Sequence, residues 1–144
     1  MKNLFVATAM LFAVSLSTAT CVAQQPSKRE IRCNYALKNL SLTKDQQAKV
    51  KPVIMAYLKA MHDATDTYDD LKDKYKAEIK AGRLSDAAAN QLFAAKWVAD
   101  AAELKVKKTY APKFKAIIGA KNTWYCMDLL NDKMSKILGE GKEK

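Results

Sequence analysis

Between Leu42 and Ala81 apolar side chains return at Val50, Ile54, Tyr57, Met61, Ala64, Tyr68, Leu71 and Tyr75, in alternating steps of four and three. That period predicts one long helix whose apolar stripe lies along its whole length against partner helices. At about 1.5 Å per residue it would be roughly 58 Å long. Such a helix does not fold inside a small globule, so an elongated bundle, a curved cradle or a dimer is expected. Its start has a definite chemistry. Thr43 as N-cap accepts from the backbone N–H of Gln46, and the Gln46 side chain reaches back to the N–H of Thr43. Asp45 in the first turn suits the positive end of the helix dipole. Pro52 removes the hydrogen bond to the Ala48 carbonyl and predicts a kink. Lys80-Ala81-Gly82-Arg83 ends the helix, with Gly82 as a left-handed C-cap.

Three more helices flank this one. Ser27-Lys28-Arg29-Glu30 is a second capping box and opens a short helix that runs to about Leu40. Ser85 caps a third helix, whose stripe is Leu92, Ala95, Ala99, Ala102 and Val106, with Phe93, Trp97 and Leu104 expected to widen it. Tyr110-Ala111-Pro112 kinks or ends that helix, and Gly119 marks the next break. The last helix is expected from about Ala120 to Leu138, with Met127, Leu130, Met134 and Ile137 inward. Gly139 to Lys144 is a charged tail without apolar residues. No stretch alternates as a strand does. The expectation is an all-α chain, a four-helix elongated bundle or cradle with two long kinked helices, built as one domain over 24–138.

The first residues change the setting. Lys2, an apolar run from Leu4 to Leu16 and then small residues read as a secretory signal peptide over 1–23, cut after Ala23 or after Ala19. Cys21 is a candidate for lipidation instead, although Thr18 stands where an aliphatic residue is usual. The expected location is periplasmic or secreted. Cys33 and Cys126 are then the cysteines that remain, and two cysteines in an exported chain suggest one disulfide. It would close a loop of about 93 residues, for which the chain-entropy model gives about 4.5 kcal/mol. Two unpaired buried thiols are the other reading, because sequence does not place the Cα atoms.

The whole chain carries 25 basic and 15 acidic side chains, a net +10, and losing Lys2 with the signal would leave +9. Outside the cytosol such a charge points away from nucleic acid. It points towards acidic or unfolded envelope proteins or an anionic membrane surface.

Leu42-Thr43-x-x-Gln46 at the head of the first long helix, in an exported all-helical chain of this size, resembles the LTXXQ-motif (Spy/CpxP-like) family of periplasmic proteins. The resemblance spans about Glu30 to Leu138, and the motif itself covers five residues and fixes three. It implies a helical cradle, often an antiparallel homodimer, acting as an ATP-independent chaperone or an envelope-stress sensor. The second copy of the motif that the family carries before its last helix is replaced here by Ile118-Gly119-Ala120-Lys121-Asn122. The nearest partial copy, Leu84-Ser85-Asp86-Ala87-Ala88, lacks the glutamine.

Catalysis is not expected. The chain has one histidine, no Gly-rich phosphate loop and no nucleophile beside a recognisable base. No cofactor is implied. The best metal candidate is His62 with Asp66 one turn away and Asp63, Asp69, Asp70 and Asp73 nearby. The same residues also read as a solvated face interleaved with Lys59, Lys72 and Lys74. A basic segment, Lys105, Lys107, Lys108, Lys113, Lys115 and Lys121, is interleaved with Tyr110, Phe114 and Trp124. It reads either as a client-binding surface with apolar footholds or as core aromatics rimmed by solvated lysines. Met55, Met61, Met127 and Met134 are open to the same two readings. The expectation is an exported, non-enzymatic binding protein. A metal-responsive sensor or buffer and a structural interaction protein of the envelope are the alternatives.

Overall fold

The computed structural model describes residues 25–131. The expected signal peptide with Cys21, the Met134 and Ile137 positions of the expected last helix, and the tail over 139–144 all lie outside the described residues. The chain is all-α. Helix α1 covers Lys28–Asn39, α2 Lys44–Lys74, α3 Lys76–Lys80 and α4 Asp86–Asn131. Among the described residues there is no strand.

Local chemistry sets most of these bounds. Ser27 Oγ accepts from the Glu30 N–H at 3.3 Å while the Glu30 carboxylate accepts from the Ser27 N–H at 2.6 Å. Those bonds hold the Glu30 carboxyl below its ordinary range. Thr43 and Gln46 form the same reciprocal pair at 3.2 and 3.1 Å. Ser85 Oγ accepts from the Ala88 N–H and starts α4. At the far end Gly82 has φ 62°, and the Arg83 N–H returns to the Glu78 carbonyl at 2.9 Å, a Schellman closure.

One expectation changes, and one pair of alternatives is narrowed. The long helix stops at Tyr75, where ψ reaches 13°, and resumes as the single turn α3. No proline or glycine marks this break, which coincides with the Tyr75 hydroxyl donating to Gln91 across the hairpin at 2.9 Å. Of the two readings at Pro112, a kink or an end, the end is excluded: the third helix passes through it to Gly119, the expected next break. Tyr110 and Phe114, on either side of the proline, both pack edge-on against Tyr57 with centroids 5.7 Å away. That packing carries the helix past a missing hydrogen bond and a ring clash.

Gly119, at φ 74° and ψ 165°, divides α4 into two arms. Phe114 packs on Tyr57, and the Tyr57 hydroxyl donates to Asn131 Oδ1 at 2.7 Å. Seventeen residues of straight helix would separate Phe114 and Asn131 by about 25 Å, so the chain folds back at Gly119. The result is a head and an arm. In the head α1, the first half of α2 and both arms of α4 enclose Cys33, Ala36, Val50, Ile54, Tyr57, Phe114, Ile118, Cys126 and Leu130. Beyond the head α2 and α4 continue as an antiparallel pair in which only Ala88 and Ala99 are fully enclosed. That pair is where the functional question lies.

Candidate functional site

Along the arm α4 has two apolar sides. Ala88, Leu92, Ala95, Ala99, Ala102 and Val106 face α2, and their small side chains let the two helices approach closely. Phe93, Ala94, Trp97, Val98, Ala101 and Leu104 form a second row on the opposite side of the same helix. Among the described residues only one helix packs on this part of α4, so only one row is covered. Phe93, Trp97, Val98 and Leu104 are 57%, 68%, 72% and 51% exposed. Phe93 and Trp97 stack with centroids 6.2 Å apart, so their faces are presented together. The row spans about 17 Å of helix at 1.5 Å per residue.

The expectation that Phe93, Trp97 and Leu104 widen the buried stripe is therefore corrected: they stand on the other face. Val98 was missed altogether. A signal was present, because apolar positions on opposite sides of a helix with one neighbour cannot all be buried.

The basic segment is divided by the fold. Phe114 is fully buried and Tyr110 is half-buried against the core, so these two rings are packing and not footholds. Lys113 lies over the Tyr110 ring at 4.6 Å. Lys107 pairs with Glu103 at 3.3 Å and turns towards a cleft between head and arm. Lys105, Lys108, Lys115 and Lys121 are exposed. Lys108 continues the line of the apolar row and Lys105 flanks its end. Trp124 is exposed on the second arm of α4, where it meets Tyr125 edge-on at 5.2 Å.

Asp63, Asp69 and Asp73 of α2 each meet a nearby lysine, whereas Asp66 and Asp70 pair with none among the described residues. Asp63 accepts from Lys59 at 2.6 Å, and that bond holds its carboxyl below the usual range. Asp69 lies 3.5 Å from Lys72 and Asp73 3.6 Å from Lys76. His62 and Asp66 are exposed, and among the described residues no group of three His, Cys, Asp or Glu side chains converges. Met55, Met61 and Met127 are partly buried against the core.

Cys33 and Cys126 are thiols in this structure, both fully buried in the same cluster. Burial pushes both thiols up, Cys126 to about 12, with the nearby Cys33 adding to the effect there. Among the described residues no helix is long and apolar enough to cross a membrane.

The chain matches no protein-family model, and no curated protein or solved structure is significantly similar to it.

Proposed function

We propose that the protein is an exported, non-enzymatic binding protein that shields apolar segments of unfolded envelope proteins on the outer face of α4. The exposed row Phe93, Trp97, Val98 and Leu104 carries this reading. A soluble helix that displays large apolar side chains in register, bounded by cations, is built to hold something. Lys105 and Lys108 at one end of the row, within a chain of net +10, favour acidic and apolar segments. Long-range attraction speeds encounter, and a narrow single-helix contact lets the client leave. The LTXXQ resemblance supports the same activity and a periplasmic site of action. In that compartment Cys33 and Cys126 form a disulfide; the oxidised protein, denatured, would then show no thiol to a thiol reagent and two after reduction.

The binding test uses an unfolded acidic client and the tryptophans. Trp97 is 68% exposed, so client binding shifts its emission to shorter wavelength, and the titration weakens severalfold as salt rises. Binding that persists unchanged in the double variant Lys105→Glu, Lys108→Glu removes the charge argument.

A second occupant of the row has its own observation. Asp86 and Lys108 each stand eleven residues from Trp97, three turns away on the same side of α4. A twofold axis at Trp97 would set Asp86 of one copy against Lys108 of another. A homodimer broken by Lys108→Asp and restored by adding Asp86→Lys would identify this pairing.

A further inference from the structure

We infer that the cleft between head and arm is a binding site for an anionic amphiphile, a single aliphatic chain ending in an oxyanion such as a carboxylate. The cleft has a volume of about 580 Å³, in the range of small-ligand sites. It stands on different residues from the α4 row and does not depend on what that row binds.

Its two sides differ in chemistry. One turn of α1 supplies Arg29 and Arg32, and α4 supplies Lys107. Leu58, Met61 and Leu130 supply an apolar wall. No carboxylate among the described residues pairs with either arginine, although six ion pairs form elsewhere. Arg32 donates one guanidinium N–H to the Leu130 carbonyl, while its Nε is buried and has no partner among the described residues. A buried donor left unmatched destabilises the site that holds it. An oxyanion in the cleft accepts from the free N–H groups of Arg29 and Arg32, and the planar fork of arginine suits a carboxylate. The aliphatic chain then lies over Leu58, Met61 and Leu130. Asp69 and Glu103 also border the cleft, but Glu103 is engaged by Lys107. The remaining balance is cationic.

His62 stands at the rim and is the chain's one histidine, so its ring protons report on the cleft without ambiguity. The experiment titrates the full chain with sodium decanoate below its micelle concentration and follows the His62 signals and the backbone amide map. The structure predicts saturable one-to-one shifts at His62, Thr65 and Asn131. Sodium acetate, the head without the chain, and decanol, the chain without the head, should each bind at least tenfold more weakly. Arg29→Gln should weaken decanoate at least tenfold. Arg29 is exposed, so this variant keeps the fold even if Arg32→Gln does not. Shifts concentrated at residues 93–104 would overturn the proposal, as would equal affinity in Arg29→Gln or no saturable shift at all.

Discussion

Gln46 performs two tasks with one amide. Its oxygen accepts from the Thr43 N–H at 3.1 Å, closing the capping box, and its nitrogen donates to the Ile117 carbonyl at 3.4 Å. Gly119, two residues on, breaks the helix and leaves the carbonyls before it without helical partners. Gln46 thus starts one helix and closes the end of another. A glutamate could keep the first role and not the second. Gln46→Glu should retain α2 but destabilise the protein by about 1 kcal/mol, read as a lower urea midpoint at unchanged slope. An unchanged midpoint would mean the bond to Ile117 contributes nothing. The buried thiols and Tyr57 make a second prediction. Burial raises Cys126 and Tyr57 each to about 12 and raises Cys33 as well. These groups stay neutral in the folded chain while their unfolded counterparts ionise near pH 9 to 10. Their contribution is therefore complete below about pH 9 and is lost as pH rises towards 12. The melting temperature of the reduced protein should fall steeply across that window. In Cys126→Ala it should fall less.

Helix by helix, the sequence was most legible where backbone groups must be satisfied. Both capping boxes, the Ser85 cap, the left-handed Gly82 and the Gly119 break follow from residues that offer few alternatives. The break at Tyr75 was not legible, and at Pro112 the choice between a kink and an end was not, because packing decides both. Tyr75 ends α2 while bonded to Gln91, and Pro112 is carried through by Tyr110 and Phe114 on Tyr57. Periodicity found the inner stripe of α4 but assigned Phe93, Trp97 and Leu104 to it. It could not see that, among the described residues, the arm has two helices and so one covered side. For the same reason Tyr110 and Phe114 stayed open between surface footholds and core, whereas the exposed aromatics are Phe93 and Trp97 earlier in α4 and Trp124 and Tyr125 later in it. Gly119 supplies the test at this scale. Its φ of 74° with ψ of 165° belongs almost entirely to glycine, and a Cβ there meets nothing within 4 Å. The cost of Gly119→Ala is then backbone strain alone, about 1–3 kcal/mol of unfolding free energy. A smaller loss would show that the turn relaxes without cost.

In the whole molecule stability and exposure are separated. The head buries Tyr57, Phe114 and the two cysteines, whereas the arm keeps large apolar side chains in solvent. Substitutions on the outer face of the arm remove no core contact, so they should leave the fold intact and alter only what is bound. Phe93→Ser with Trp97→Ser should move the melting temperature by no more than a few degrees. It should also reduce dye binding to exposed apolar surface, and unaltered dye binding would place that surface elsewhere. The most direct measurement is light scattering after a denaturant-unfolded client is diluted into buffer, without ATP, with the wild-type chain or this double variant. The wild type should suppress aggregation at near-stoichiometric ratio, and the variant, equally helical, should do so at least severalfold less. Equal suppression by both chains, or none by a folded wild type, would contradict the assignment of the α4 outer face as the client-binding surface.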